Sequence, residues 1–219
     1  MTPAPNHDDA RREEHFVRSG DAWDDYDPSR GAVFVSGHFG NWELFAVALQ
    51  RYGIGVDTVA RRLGSGRLAR WLDRFRKRHG IAVIDKRNAL PLSLRALRAN
   101  RNVAFLNDQA AGRHGIAAPF FGRDVSTFPA PVMLARKAGV PVYCGYSTRL
   151  GDGIRYRCHA ETVSREGDAE TVTRRLNDIL GGYVRDCPEQ WWWFHRRFKE
   201  LGRDRRQGVV DAAGRVERA

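Results

Sequence analysis

The sequence predicts a single α/β domain, a sandwich of helices around a mixed, partly parallel sheet. Short apolar runs alternate with segments of helical period along most of the 219 residues, which is typical of strands joined by crossover helices. A chain of this length suits one domain. Two further strand patterns are separated by Gly151-Asp152-Gly153, a turn signal, so we expect the sheet to close on a hairpin.

The strands are predicted from short runs rich in β-branched and aromatic residues between turn residues. The first run ends at Gly37 and the third begins after Gly80. A stretch rich in glycine and polar residues, Asn107–Gly122, follows the fourth and is predicted to be a loop. The predicted strands are Ala32–Ser36, Val56–Ala60, Ile81–Ile84, Val103–Leu106, Val140–Tyr146 and Ile154–Val163.

The helices are predicted from apolar residues at helical spacing and from their capping residues. Asn41 is a good N-cap and Gly53 a good stop for the first one, and Gly80 ends the second. Proline in the first turn favours the start of the fourth. The predicted helices are Asn41–Tyr52, one through Leu68–Phe75, Leu90–Ala99, Pro129–Ala138 and Ala169–Arg185.

The ends of the chain differ from its middle in composition. Residues 1–30 are acidic and polar, and we expect a flexible arm with at most a short helix at Asp9–Arg18. The domain itself is expected over 31–199, and 200–219 form a polar tail. No run of 18 apolar residues and no signal peptide is visible. The three cysteines fit no zinc or CxxC spacing, so we expect buried, reduced thiols.

Charge gives the class of partner. The chain has 37 basic and 26 acidic residues, a net charge of +11, and only four of the cations are lysine. Such a protein attracts polyanions: anionic lipid headgroups, phosphorylated substrates, an acidic carrier protein or nucleic acid. Arginine also forms bidentate contacts with phosphate and carboxylate groups.

Sites in open α/β sheets lie beyond the carboxyl ends of strands. The first strand is followed by Gly37-His38-Phe39-Gly40-Asn41-Trp42-Glu43. If Glu43 lies in the first helical turn, its carboxylate can reach back to His38 and fix the imidazole as a general base. The glycines leave room for substrate near the backbone. The alternative is a capping turn with an incidental histidine.

Three other segments carry candidate residues. Asp108 and Gln109 end an apolar strand, where the acid either binds an arginine or substrate, or opens an Asx turn. Phe120 and Phe121 either line an apolar pocket or simply pack. The segment from Gln190 to Lys199 holds four consecutive aromatic residues followed by cations. It suits a bilayer surface or a nucleic-acid groove, although some of its rings are expected in the core.

Missing motifs narrow the chemistry. The sequence contains no GxSxG, GxxxxGK[ST], GxGxxG, HExxH or CxxC. A nucleophile-elbow hydrolase, a P-loop enzyme, a dinucleotide enzyme and a zinc site are therefore not indicated, and we expect no metal. Chemistry at His38 would then activate a group of the substrate.

The sequence resembles the bacterial lipid A late acyltransferases and the related phosphatidylinositol mannoside acyltransferases, within the lysophospholipid acyltransferase superfamily. The resemblance runs from about Gly31 to Lys199. Five motifs in order carry it: the HxxxxE box from His38 to Glu43, Asp108-Gln109, Pro119-Phe120-Phe121-Gly122 with Thr127, Leu134-Ala135-Arg136, and Pro188–Trp191 with His195–Lys199.

The resemblance implies a glycerolipid acyltransferase-like fold and O-acyl transfer from an acyl thioester, on acyl carrier protein or coenzyme A, to a hydroxyl of a glycolipid or phospholipid. No cofactor is implied beyond that co-substrate. His38 would be the general base and Glu43 its support. Arg61, or alternatively Arg62, would together with Asp108 help to bind the acceptor's phosphate or shape the site. Asn41, Gln109, Phe120 and Phe121 are expected to bind substrate.

Location and alternatives follow from the same resemblance. Trp192, Trp193, Arg196 and Arg197 are expected to contact an anionic membrane, which predicts a cytoplasmic protein on the inner face of the cell membrane. Family members commonly carry an N-terminal membrane helix, whereas residues 1–30 are polar. The chain is then peripheral, a shortened relative, or specific for a less lipid-like acceptor. One alternative is a non-catalytic basic protein that binds anionic lipid or nucleic acid, of which nucleic acid fits the HxxxxE box less well. The other alternative is a degenerate acyltransferase that only binds lipid.

Overall fold

The computed structural model of the protein describes residues 15–61, 64 and 66–198. Its centre is a seven-stranded sheet in the order β1-β9-β8-β2-β5-β3-β4, in which all neighbours are parallel except β8 and β9. A separate antiparallel pair, β6-β7, precedes β8. The strands are β1 (Phe16–Ser19), β2 (Val33–Ser36), β3 (Val56–Ala60), β4 (Ala82–Asp85), β5 (Asn102–Leu106), β6 (Ile116–Phe120), β7 (Arg123–Thr127), β8 (Val142–Arg149) and β9 (Tyr156–Val163).

Helices cover both faces of the sheet. The described helices are α1 (Ala22–Asp25), α2 (Trp42–Arg51), α3 (Arg67–Arg78), α4 (Ala89–Arg98), α5 (Ala130–Ala138) and α6 (Ala169–Asp186). Because side chains of a strand alternate between faces, Val33 and Val35 of β2 enter one core with α4, α5 and α6, and Phe34 enters the other with α2. The predicted α/β sandwich with a mixed, partly parallel sheet is confirmed. Strands β8 and β9 form the predicted hairpin, but β1 lies beyond it at that edge of the sheet.

The amino-terminal boundary differs from the prediction. Part of the segment expected to be a flexible arm is built into the domain, since β1 pairs with β9 and Phe16 is buried. Trp23 of α1 packs edge-to-face on Tyr52 and donates its indole N–H to the Ser19 carbonyl. The expected helix at Asp9–Arg18 is replaced by a strand where it is described. Residues 1–14, like the tail from 199 onward, lie outside the described residues.

The predicted loop after β5 contains a hairpin. Strands β6 and β7 pair with Phe120 opposite Arg123, which leaves a two-residue turn of Phe121 and Gly122. Both turn residues have positive φ, at 50° and 73°, the backbone of the primed turns that suit strand twist. Phenylalanine is an unusual residue for this conformation, so the sequence carried little signal for the turn.

Two of the three cysteine side chains are buried. Cys144 and Cys158 are buried and unpaired, and burial raises the pKa of each to about 12. Cys187 is half-buried and also unpaired. Among the helices that the structure describes, none is long and apolar enough to cross a membrane.

Candidate active site

Two neighbouring parallel strands bring the main candidate residues together. Strands β2 and β5 are paired with Ser36 opposite Leu106, and the Asn107 N–H continues the ladder to the Ser36 carbonyl at 2.8 Å. His38 and Asp108 each lie two residues beyond that pair. The carboxyl ends of the strands therefore carry a histidine and an acid side by side.

The His38 ring is bonded to Asp108. Nδ1 lies 2.8 Å from Asp108 Oδ1, and the His38 backbone N–H donates to Oδ2 at 2.8 Å. Burial alone would raise the pKa of the Asp108 carboxyl, but its hydrogen bonds and the charge of His38 outweigh that effect and hold the pKa below its usual value. An ionised Asp108 fixes the proton on Nδ1 and leaves Nε2 as the basic nitrogen. The imidazole retains 20% of its surface exposed.

Glycines allow this close packing. A Cβ on Gly37 would lie 3.1 Å from the Cβ and Cγ atoms of Asp108, and one on Gly40, whose φ is +55°, would lie 1.6 Å from the Ser147 carbonyl oxygen. The space that the glycines provide is thus filled by Asp108 and by β8, and not by substrate as predicted. Both positions fix the loop that carries His38.

The carboxyl-terminal segment holds the same loop from the other side. The Gly40 N–H donates to the Gln190 carbonyl at 2.7 Å, and the Trp192 N–H donates to the His38 carbonyl at 2.9 Å. The buried indole of Trp191 donates to Asp108 Oδ2 at 3.1 Å. Trp191 therefore completes the environment of Asp108, a role that sequence reasoning missed. Its place in the family motif was the available signal.

The expected support of His38 by Glu43 is not what the structure has. Glu43 lies in the first turn of α2, as predicted, but its carboxylate forms a bidentate ion pair with Arg76 of α3, in which Arg76 Nε lies 3.0 Å from Oε2. The partner of the imidazole is Asp108. Sequence spacing suggested Glu43 because it is nearer in the chain, whereas the sheet brings a more distant acid closer in space.

Asn41 caps the helix. Its side-chain oxygen accepts the Leu44 N–H at 3.1 Å, and its backbone bonds Ser147 Oγ in both directions. The predicted cap is confirmed and uses the side-chain oxygen of Asn41, while substrate binding by Asn41 stays a prediction. Gln109 is exposed next to Asp108, and its carbonyl accepts from Arg197. Its role as a substrate contact stays a prediction.

A polar groove lies beside the Glu43–Arg76 pair. Arg61 is exposed at the carboxyl end of β3, and the groove that it lines has a volume of about 590 Å³. Arg76, Lys77 and Asp73 contribute to the same groove, so cations predominate. Arg62, the alternative to Arg61, lies outside the described residues.

An apolar cavity begins under the same pair. It has a volume of about 50 Å³ between α2 and the sheet and reaches Trp42, whose ring also contacts His38 with centroids 4.9 Å apart. The lining is mainly apolar and includes Phe34, Phe45, Ala46, Leu49, Val59 and Phe105.

The Phe120-Phe121 pair lies elsewhere. Phe120 is buried against Trp191 and Phe198, and Phe121 packs on it at the hairpin turn, under Arg185. Of the two expectations for this pair, packing is what the structure has. Trp191 contacts the Phe120 ring and also donates to Asp108, and neither residue of the pair lines the two cavities described above.

The structure corrects the prediction that Arg197 contacts a membrane. It is 1% exposed, and its guanidinium donates to the Gln109 carbonyl, Thr127 Oγ1 and Asn177 Oδ1 and lies 5.0 Å from the centre of the Phe120 ring. Burial lowers its pKa, and the nearby Asp108 charge opposes that shift. A buried guanidinium does not contact a membrane; it braces the loop after β5.

The neighbouring residues remain at the surface. Trp192, Trp193 and Phe194 expose about half or more of their area, and Arg196 is exposed. The Trp192 ring lies 6.3 Å from that of Trp42, so this exposed patch borders the face of His38. Membrane contact by Trp192, Trp193 and Arg196 stays a prediction. Within the described residues, no group of three His, Cys, Asp or Glu could hold a metal ion.

Comparisons with known proteins agree with the motifs. Residues 21–200 match the family described as bacterial lipid A biosynthesis acyltransferase. The phosphatidylinositol mannoside acyltransferase of Mycolicibacterium smegmatis is 28% identical over 197 residues, 86% of this chain and 64% of that protein. The lipid A biosynthesis palmitoleoyltransferase and lauroyltransferase of Escherichia coli are 31% and 30% identical over 178 residues, 78% of this chain and 56% of each. The chain thus spans less than two thirds of these curated relatives.

One solved structure is also similar. It is the 1-acyl-sn-glycerophosphate (LPA) acyltransferase of Thermotoga maritima, with a TM-score of 0.47 and 14% sequence identity. The similarity covers 81% of this chain and 74% of that one.

Proposed function

Since the chain belongs to the family of bacterial lipid A biosynthesis acyltransferases, we propose that it transfers a fatty acyl group from an acyl thioester to a hydroxyl group of a glycolipid or phospholipid. The His38–Asp108 pair at the carboxyl ends of β2 and β5 is the observation that carries this proposal. A partly exposed imidazole backed by a buried carboxylate is an arrangement suited to taking a proton from an alcohol.

The proposed reaction needs no covalent enzyme intermediate. Nε2 of His38 accepts the proton of the acceptor hydroxyl while its oxygen attacks the thioester carbonyl carbon. The C–S bond then breaks, and the proton passes from His38 to the departing thiolate, which leaves as a free thiol. Asp108 holds the Nδ1 proton and stabilises the imidazolium that forms in between. The ester product and the thiol balance the alcohol and the thioester.

Two neighbouring spaces suit the two halves of the substrates. The cationic groove at Arg61 is proposed to bind phosphate, either on the acceptor or on the thioester carrier, because arginine forks match phosphate oxygens. The apolar cavity under Trp42 is proposed to receive the first part of the acyl chain, and it must widen to hold a whole one. The experiment that tests the reaction also identifies whether acyl carrier protein or coenzyme A carries the acyl group.

The protein is proposed to work as a peripheral protein on an anionic membrane, on its inner face. The exposed Trp192 and Trp193 with Arg196 support this, since tryptophan and arginine favour the bilayer interface. The patch borders the His38 face. A lipid acceptor could therefore reach the imidazole without leaving the bilayer entirely.

Replacing His38 with alanine tests the proposal. The full chain is incubated with palmitoyl thioesters of acyl carrier protein or coenzyme A and with a panel of acceptors: a lipid A precursor, a phosphatidylinositol mannoside and lysophosphatidate. Mass spectrometry then detects the new ester. We expect His38→Ala to lower the rate about 10²–10⁴-fold, as loss of a general base does, with an unchanged circular dichroism spectrum.

A second histidine provides the control. His79 lies just before β4, at the amino ends of the strands, whereas His38 lies at their carboxyl ends. His79→Ala should therefore keep the parent rate. If His38→Ala formed ester as fast as the parent, the proposed base would be wrong. If no thioester and acceptor in the panel gave an ester with the parent, the alternative of a non-catalytic protein that binds anionic lipid would be favoured.

A further inference from the structure

Helix α3 exposes large apolar side chains. Leu68 and Trp71 are 71% and 54% exposed, and Trp71 stacks on the half-buried Phe75 with ring centroids 5.5 Å apart. At 100° per residue these three side chains lie within one sector of the helix. Ala69 is the buried residue of α3. The apolar stripe therefore lies beside the inner face of the helix and remains open to solvent.

The same helix is strongly basic. Its exposed cations are Arg67, Arg70, Arg74, Lys77 and Arg78, and Asp73 is its one acidic residue. Arg74 and Arg78 lie one turn apart on the outer side of the helix, next to the Trp71 sector. An exposed stripe of Leu, Trp and Phe flanked by arginine is the pattern of helices that lie in the interface of an anionic bilayer.

The position of α3 connects the stripe to the site. The helix starts after the carboxyl end of β3, and His38 follows the carboxyl end of β2, so both lie at the same ends of the strands. Its Arg76 is bonded to Glu43, whose neighbour Trp42 contacts the His38 ring. The Trp42 ring also lies 6.3 Å from that of Trp192, in the exposed patch. Two separate exposed apolar groups are thus connected to the His38 site through Trp42 and Glu43.

We propose that α3 lies in the headgroup region of a bilayer that carries anionic lipid, with Leu68 and Trp71 inserted and Arg74 and Arg78 on the phosphates. This surface goes beyond the proposed function and beyond the patch at Trp192. Vesicle binding requires neither a thioester nor an acceptor, so it is measured separately from catalysis. His38→Ala should bind vesicles as the parent does.

Sedimentation with vesicles tests the proposal. The full chain is mixed with vesicles of phosphatidylcholine alone or with 30 mol%, roughly a third, phosphatidylglycerol, a strongly anionic surface. We expect binding to the anionic vesicles, about tenfold weaker for Leu68→Ala/Trp71→Ala through lost apolar burial. For Arg74→Gln/Arg78→Gln we expect a loss of about fivefold per charge, which disappears at high salt.

Helix α5 supplies a matched control. Met133 is 56% exposed there and Lys137 lies in its last turn, on a helix that packs on the opposite face of the sheet. Met133→Ala/Lys137→Gln should bind as the parent does. Parent-like binding by both α3 variants, or an equal loss by the α5 variant, would overturn the proposal. So would α3 variants that keep vesicle binding and lose affinity for acyl carrier protein, since an acidic protein would then be the occupant.

Insertion of Trp71 into the bilayer can be measured separately from binding. Brominated acyl chains quench the fluorescence of a tryptophan that enters the bilayer. The parent should lose a larger share of its fluorescence in such vesicles than Trp71→Phe, because Trp71 would be among the quenched residues. Equal quenching of the two proteins would place Trp71 outside the bilayer and contradict the proposal.

Discussion

Two carboxylates near the catalytic loop differ in what surrounds them. Asp108 is 2% exposed and receives three hydrogen bonds: from the His38 ring, from the His38 backbone and from Trp191. The side chain of Glu43 is 22% exposed, and its bonds come from one guanidinium, that of Arg76. Asp108 thus holds the imidazole of His38, whereas Glu43 joins helices α2 and α3 on one face of the sheet.

The difference shows that proximity along the chain is a poor guide to the partner of a catalytic group. Glu43 is five residues from His38 and bonds elsewhere, while Asp108 is 70 residues away and bonds both its ring and its backbone. Burial strengthens the contacts of Asp108, because a charged hydrogen bond gains strength where water is excluded. The comparison can be tested by removing each charge in turn.

Asp108→Asn should have the largest effect. An asparagine offers the His38 Nδ1 atom either a carbonyl oxygen or an N–H, and it supplies no negative charge to stabilise an imidazolium. We expect the rate of ester formation to fall about 10²–10⁴-fold. Measured kinetics should show the loss mainly in kcat, because Asp108 is bonded to the proposed base.

Acid unfolding provides a second readout for the same variant. The pKa of Asp108 is lowered in the folded state, so its charge contributes stability above the unfolded aspartate pKa of about 3.9, and this contribution is lost as the pH falls through the lower folded value. The parent should therefore lose stability below about pH 4 more steeply than Asp108→Asn. Identical acid profiles, or a variant with parent kcat, would break the contrast between the two carboxylates.

Local patterns predicted most of the elements, and the reason is visible in the strands. Val33–Ser36 and Val56–Ala60 are short, rich in valine and each next to a glycine, so their type and bounds could be predicted closely. The cap at Asn41 was equally local. The order of the strands was not predictable, because the neighbours β2 and β5 are separated by two other strands in the chain. That order is what pairs His38 with Asp108.

Two regions contain elements that were not predicted, namely β1 with α1 and the hairpin β6-β7. The strand at Phe16–Ser19 lies in an acidic segment and is stabilised by tertiary pairing with β9, which no local pattern encodes. The hairpin β6-β7 turns through Phe121, where a phenylalanine adopts a conformation that usually indicates glycine or asparagine. In both places long-range contacts override local propensity.

The buried Arg197 and the exposed Arg196 should differ in their contribution to the free energy of unfolding. Arg197→Met leaves the Gln109 carbonyl, Thr127 and Asn177 without their buried charged donor. We expect a loss of about 2–3 kcal/mol in the free energy of unfolding, the range for hydrogen bonds to charged groups. Arg196→Met, on an exposed neighbour, should change it by less than about 0.5 kcal/mol.

Urea denaturation measures both variants, and vesicle sedimentation separates their roles. Arg196→Met should weaken binding to anionic vesicles, since an exposed cation is lost. Arg197→Met should keep that binding at temperatures where it is folded. Equal stability of the two variants would contradict the bracing role of Arg197 for the loop that carries Asp108.

Glu43→Gln should have the smallest effect on the reaction. It removes the ion pair with Arg76 but leaves the His38–Asp108 contact in place. We expect a loss of about 1 kcal/mol in the free energy of unfolding, the upper end for partly exposed pairs, and a rate within about tenfold of the parent. Thermal unfolding and ester formation under identical conditions measure the two quantities.

A double-mutant cycle decides whether Glu43 acts only through Arg76. If it does, Glu43→Gln and Arg76→Gln should each produce a similar change in stability and in kcat, and the double variant should be no worse in these two quantities than either single one; KM is left out of the cycle because Arg76 also lines the proposed phosphate groove. Glu43 would act on the chemistry directly if Glu43→Gln lost as much kcat as Asp108→Asn while Arg76→Gln remained active. The carboxylate would then have to leave Arg76 during turnover, and the distinction drawn between the two acids would hold for the resting protein alone.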